Sequence, residues 1–317
     1  MNVGQRLRAS WRSEPDRWLL GCAALALAAA LLNPGLILER PLFDHVIVLD
    51  VTQSMGVTDM RLDGKPVSRL AYAKHALRQS LLRLPCGSKV GWAIFTEYRS
   101  LLLLAPIDVC ANLSELRSTL DGIDSRMAWS GNSEIAKGLH SAIGIARQLP
   151  DRPSLVFVTD GQEAPPIDPR HRRSFDDKPG EVMGLVVGVG DALPSRIPKI
   201  DPDGRPLGFW GVDDVLQTDP RYPESAESGR AGVSRAGTEH LSALHESYLR
   251  LLASDAGMAF HRMVSQEALE QAMTAPAMAR PGPARVDAHV WLALLAFALL
   301  LLRPVQWMLS ARQRKGF

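Results

Sequence analysis

Five oxygen-bearing side chains stand at the ends of apolar runs or at a helix start in this 317-residue chain. Asp50, Thr52 and Ser54 follow from the run His45-Val-Ile-Val-Leu. Alternate residues of an extended turn point the same way, so these three converge on one point. Ser133 opens a helical pattern in Gly131-Asn-Ser133-Glu-Ile135, and Asp160 closes the run that begins at Leu155. Two carboxylates and three hydroxyls, with no His or Cys among them, suit a hard divalent cation. Mg2+ fits most readily, with Mn2+ or Ca2+ as alternatives and waters completing the shell. Three neutral ligands leave the ion electrophilic, and an acidic side chain from a protein partner is the natural final ligand.

The elements that must position these residues alternate. His45–Asp50, Lys89–Phe95, Ser100–Leu104, Leu155–Asp160, Val182–Val189 and Met258–Met263 read as strands, the second and third joined by a tight turn. Ser68–Leu84, Leu113–Leu120, Ser133–Leu149, His240–Ala256 and Gln266–Met273 read as helices, with prolines stopping the first and third. Such alternation predicts an α/β fold with a doubly wound, mostly parallel sheet. Two stretches break it: Pro165–Gly180, and a Pro/Gly-rich insertion over 191–237. Both leave the carboxyl end of a strand, where open α/β sheets bind ligands.

Composition narrows the function. Lys and Arg number 36 against 34 Asp and Glu, a net charge of +2 that does not suggest a nucleic-acid binder. Three cysteines exclude a disulfide scaffold and a zinc module with four cysteine ligands. The apolar residues concentrate at the two ends. Residues 18–38 carry no charge, and 288–309 are nearly as apolar, each long enough for the roughly 30 Å of a bilayer core. A cleaved signal peptide with Ala28–Ala30 as its processing site is the alternative for the first segment. Basic flanks (Arg6, Arg8, Arg12 and Arg17; Arg312, Arg314 and Lys315) put both tails, 1–17 and 310–317, in the cytoplasm of a two-pass inner-membrane protein. Residues 39–275 then form a periplasmic domain, and the proline-bearing 276–287 a tether. Cys86 and Cys110 share that oxidising compartment. The hairpin brings its outer ends together, so a disulfide is expected, with two buried free thiols as the alternative.

Three motifs in order, DVTQSM, GNSEIAKGL and LVFVTDG, resemble the metal-ion-dependent adhesion site of von Willebrand factor A domains. The usual first motif of that family is D-x-S-x-S, and Thr52 replaces its first serine. Ser133 stands where the family has a threonine. The resemblance implies a bound divalent ion at Asp50, Thr52, Ser54, Ser133 and Asp160, no catalytic residue, and protein binding. More narrowly, the LPCGS…VCAN pair, RMAWSGNSEIAKGL and IPKIDPDGRPLGFW resemble the membrane-anchored A-domain accessory proteins encoded with methanol dehydrogenase. That resemblance implies a factor helping calcium insertion into a periplasmic quinoprotein, with that dehydrogenase or other assembly factors as partners. The chain also resembles, more broadly, the Bat-type A-domain proteins, and that resemblance implies the alternative of a general membrane-anchored scaffold working with a MoxR-like ATPase.

Other readings compete. Asp50-Val-Thr52 after a strand also resembles the start of haloacid dehalogenases, in which an aspartate attacks phosphate. No lysine stands in a matching context, and Asp213-Asp214 lies inside the insertion. Asp201-Pro-Asp-Gly204 reads as a β-turn ahead of a calcium-loop fragment. Met127 and Trp129 form either a docking patch or core packing, and Glu163 solvates its loop.

Overall fold

The computed structural model describes residues 15–32, 35–165, 178–201, 203–215 and 238–314. The chain divides into two compact units, Arg40–Gly282 and the paired ends Met1–Glu39 with Pro283–Phe317.

The larger unit is built on a six-stranded sheet. Its strands are β1 (His45–Asp50), β2 (Lys89–Thr96), β3 (Arg99–Asp108), β4 (Ser154–Thr159), β5 (Gly184–Gly188) and β6 (Ala259–Arg262). They lie in the order β6-β5-β4-β1-β2-β3, all neighbours parallel except the β2–β3 hairpin. In register, Asp50 of β1 lies beside Phe95 of β2, and Leu49 beside Val158 of β4. Helices α1 (Arg69–Leu81), α2 (Leu113–Gly122), α3 (Ile135–Gln148), α4 (Glu246–Ala256) and α5 (Gln266–Met273) cover both faces.

Strand alternation explains the two cores. Ile47, Leu49, Trp92, Ile94, Val156 and Val158 pack with α1, α2 and α5 on one face. Val46, Val48, Phe95, Leu155 and Phe157 pack with α3 and α4 on the other. Central strands buried on both faces need continuous apolar runs, which is what β1 and β4 supply. Helix α1 buries Leu70, Ala73, Ala76, Leu77 and Leu81 at helical spacing, and its Ser68 cap accepts from the Ala71 amide at 3.1 Å. The fully buried Trp92 donates its indole N–H to the Leu116 carbonyl at 3.0 Å, so its large apolar area carries no unpaired polar atom.

Three expectations from the sequence shift. The helix expected over 240–256 begins only at Glu246, because Leu241–Ser242 pairs as a strand with Ser195–Arg196. The span expected over 18–38 is helical over Pro15–Leu32, and from Gly35 to Leu42 it is a strand. The expected tether holds a single 3-10 turn, Pro276–Met278, followed by the strand Arg280–Asp287, which pairs with Gly35–Leu42. In a two-stranded ribbon every strand is an edge, so Pro281 and Pro283 are tolerated there. Among the described residues, no helix is long and apolar enough to cross a membrane. The basic residues of 1–14 and Lys315 lie outside the described residues.

In the smaller unit, Pro15–Leu32 packs against His289–Arg314. The contact is made of small residues, since Ala23, Ala26 and Ala296 are buried, while Leu31 (88% exposed), Leu32 and Trp291 (71%) face outward.

Cys86 and Cys110 are joined, with 5.2 Å between their Cα atoms, and close a 24-residue separation at the base of the β2–β3 hairpin. Loop closure of that length is worth about 3 kcal/mol. A Cys86→Ser/Cys110→Ser variant is therefore expected to lose about that much stability in urea unfolding. Unreduced mass spectrometry of the wild type should find no free thiol at either position.

His45 starts β1 fully buried, its Nε2 3.1 Å from the Met273 carbonyl. Burial pushes its pKa down to about 4, against a partial rise from that hydrogen bond. The unfolded chain thus binds the proton first as pH falls below about 6.5. Stability from neutral His45 is complete above that pH and is lost on the way down to pH 4, by about 3 kcal/mol in total. Comparing wild type with His45→Gln across pH 7 to 4 isolates this contribution, and the variant should show the shallower loss.

Candidate metal centre

The carboxyl ends of β1 and β4 lie side by side at the middle of the sheet, and the loops leaving them carry the polar residues. After Asp50 the chain turns through a 3-10 segment, Gln53–Gly56, and its hydroxyls fold back on the carboxylate. Thr52 donates to Asp50 Oδ1 through its amide at 2.9 Å and its hydroxyl at 2.6 Å. Thr52 Oγ1 and Ser54 Oγ are 3.3 Å apart. At the end of β4, Thr159 donates its hydroxyl to Asp50 Oδ2 at 2.6 Å and accepts from the Gly161 amide at 3.0 Å. Gly161 (φ +80°) then turns the chain in a left-handed conformation that suits glycine, where a Cβ would also press on Leu249.

Asp160 is fully buried. Its Oδ1 accepts from the Gln162 amide at 3.0 Å, and its Oδ2 from Arg69 Nη1 at 2.6 Å and from the Ser242 hydroxyl at 3.3 Å. Asp50 is equally buried. Burial first, and repulsion from Asp160 second, push its pKa up to about 7, against the hydrogen bonds from Thr159 and Thr52. Two buried carboxylates that repel each other are a site short of positive charge.

Ser133 reaches this edge by backbone bridges. It exchanges both hydrogen bonds with Ala164 at 2.8 Å, and its neighbour Glu134 donates its amide to the Glu97 carbonyl at 2.5 Å. These bridges are why α3 begins at Ile135 and not at Ser133. The Ser133 hydroxyl is buried with no hydrogen-bond partner. An orphaned buried hydroxyl costs about 1–3 kcal/mol unless something binds it.

These observations fit a divalent ion. The Thr52 hydroxyl gives its proton to the bond with Asp50, which leaves its lone pairs free. Its 3.3 Å spacing from Ser54 Oγ is close to the about 3 Å between adjacent ligands of an octahedral Mg2+. Among the described residues, no cluster of three or more His, Cys, Asp or Glu side chains is arranged for a metal. A site of two acids and hydroxyls would not form such a cluster.

Sequence reading missed Thr159, Arg69 and Ser242. Thr159 gives no signal, since strand alternation turns it away from its neighbour Asp160. Arg69 gives one: a cation in the first turn of a helix opposes the macrodipole, a local conflict that calls for specific acidic partners. Glu163 does not merely solvate its loop. It is largely buried, accepts from the Ala136 amide at 3.2 Å and the Tyr248 hydroxyl at 2.5 Å, and burial pushes its pKa up to about 7. Met127 packs partly on the core, whereas Trp129 is 53% exposed and donates to Glu97 Oε2 at 2.9 Å. Asp201–Gly204 is the expected turn, closed by Gly204 N–H to the Asp201 carbonyl at 2.9 Å.

The described part of the insertion lies against the first metal loop. Pro198–Ile200 and Pro206–Phe209 form a hairpin. Trp210 donates to Gln53 Oε1 at 2.6 Å, and the Pro198 ring sits where a Cβ on Gly56 would meet it at 2.9 Å. Residues 216–237 lie outside the described residues.

Residues 45–162 match the family model of the von Willebrand factor type A domain. That stretch is similar to a von Willebrand A domain. All five candidate ligands and Arg69 fall within it, while the insertion and the two ends fall outside. An aerotolerance-related membrane protein from Bacteroides fragilis, carrying multiple mutations to serine, is 16% identical with a TM-score of 0.48, over 74% of this chain and 98% of that one. The conserved hypothetical protein BatB from Bacteroides thetaiotaomicron is 15% identical (TM-score 0.47; 73% and 95% covered). The manganese-loaded TRAP protein of Plasmodium vivax is 12% identical (TM-score 0.38; 80% and 81% covered). No curated protein matches the chain.

Proposed function

We infer that the von Willebrand A-like domain binds a protein partner through a divalent cation, Mg2+ or Mn2+, held by Asp50, Thr52, Ser54, Ser133 and Asp160. Two observations carry this reading: an orphaned, buried Ser133 hydroxyl, bridged through Glu97 and Ala164 to the chain beyond β2 and β4, and two mutually repelling carboxylates at the ends of β1 and β4. When bound, the ion supplies an electrophilic position open to a carboxylate of the partner. The chain's own residues orient it: Thr52 and Thr159 hold Asp50, while Arg69 and the Gln162 amide hold Asp160. In this reading the acids and hydroxyls serve as ion ligands and the domain turns over no small substrate.

The finer reading follows the sequence resemblance. The protein is an accessory factor in maturation of a periplasmic quinoprotein methanol or alcohol dehydrogenase, assisting its calcium insertion. It is held at the bacterial inner membrane by its two ends, with the domain in the periplasm. Support for the anchor is the helix pair that buries alanines and turns leucines outward, the arrangement expected where lipid covers the outside. The Cys86–Cys110 bridge accords with an oxidising compartment.

A pull-down from native membranes tests the binding function. It is run with Mg2+, with EDTA, and with Ser133→Ala, which removes a hydroxyl that holds nothing in the fold. A quinoprotein dehydrogenase or an assembly factor is expected with Mg2+ alone. Equal recovery in all three arms would mean that no metal mediates the contact.

A further inference from the structure

Arg69 is fully buried in the first turn of α1, and all five of its N–H donors are used. Nε and Nη2 bind Asp59, Nη1 binds Asp160 Oδ2 and the Ser242 hydroxyl (both 2.6 Å), and Nη2 also reaches the Ser242 carbonyl at 3.1 Å. The Asp59 carboxylate accepts in addition from the Asp191 amide at 3.0 Å. One guanidinium therefore joins a candidate metal ligand, a second acid, and the two flanks of the insertion. With Asp50 ionised, Asp50, Asp59 and Asp160 bring three negative charges to this buried set, and Arg69 brings one positive. A single divalent cation balances the remainder.

We propose that Arg69 is the positioning residue that makes the bound ion anion-seeking, by holding and partly neutralising Asp160. The proposal rests on the cation reading above and deepens it. An ion that faced Asp50 and an unshared Asp160 beside an unpaired Asp59 would be bound more tightly, and would repel a further carboxylate. With Arg69 in place the ion is held less tightly and keeps the net attraction that a partner's acidic side chain needs. Asp59 works in the opposite sense, since it draws part of the guanidinium charge away from Asp160.

The prediction is a split in sign. Arg69→Met should tighten Mn2+ binding and weaken binding of a carboxylate to the Mn2+-loaded protein, each by about tenfold, the scale of one partly screened charge at this range. Asp59→Asn should move both in reverse. A merely structural role for Arg69 would loosen both together. Water-proton relaxation of the full chain, titrated with Mn2+ and then with acetate at constant ionic strength, reads both constants. Arg69→Met leaves two acids unpaired and can fail to fold; Asp59→Asn, in which Arg69 keeps Asp160 and Ser242, then decides alone. Opposite shifts in the two constants support the proposal. Shifts of one sign, or none in Asp59→Asn, overturn it while leaving the cation reading standing. A wild-type chain that binds no Mn2+ overturns both.

Discussion

Replacing Arg69 with Leu is expected to destabilise the domain by about 3–5 kcal/mol, measured by urea unfolding in the absence of divalent ions. The side chain is ion-paired to Asp59 and to Asp160 at 2.6 Å each, with no exposure of its own. Its burial works against its charge, but Asp160 and Asp59 outweigh that and hold it protonated. Removing it strands two carboxylates in an interior that already contains Asp50, and it cuts the tie from Ser242 beyond the insertion to α1. Divalent cations should restore more stability to this variant than to the wild type, because they replace the missing positive charge. A loss below about 1 kcal/mol, the range of exposed ion pairs, would show that the pair is solvated and that the network does not hold the site.

The second large effect concerns Asp50. Mg2+ is expected to raise the melting temperature of the wild type and to leave Asp50→Asn unmoved, since the variant keeps the shape and loses the charge. Without metal, Asp50→Asn should melt higher than the wild type at pH 8, because it relieves the repulsion with Asp160. The sign of the pH dependence follows from the raised pKa. A carboxyl whose native pKa is about 7 gives stability that is present at low pH and is lost as pH rises through 7. Bound Mg2+ holds Asp50 ionised and competes with its proton. The Mg2+-induced rise should therefore grow from pH 6 to pH 8 in the wild type and stay flat in Asp50→Asn. A rise of equal size in both proteins would place the ion elsewhere.

Much of the fold was legible because its signals are local. The runs His45–Asp50 and Leu155–Thr159 can be central strands only in a sheet covered on both faces, and the prolines after α1 and α3 mark real stops. Asp50, Thr52 and Ser54 were readable together because one short turn carries all three. Asp160 was readable as a strand-end acid, though Arg69 on its far side was not. The partners of Arg69 lie 10, 91 and 173 residues away, and no spacing rule connects them. The strand Gly35–Leu42 was hidden for a related reason. Its partner, Arg280–Asp287, stands near the opposite end of the chain, so the apolar residues of Gly35-Leu-Ile-Leu38 read as a continuing helix. The start of α4 was misplaced because Leu241–Ser242 is helix-compatible, while its pairing to Ser195–Arg196 depends on the path of the insertion.

The proposed site holds one divalent ion on Asp50, Thr52, Ser54, Ser133 and Asp160. The most direct test is an electron paramagnetic resonance titration of the purified full chain with Mn2+, repeated with Ser133→Ala and Asp50→Ala. One bound Mn2+ per chain is expected, with weaker binding in Ser133→Ala and none in Asp50→Ala. No bound Mn2+ in the wild type, or the same binding in all three proteins, would contradict it.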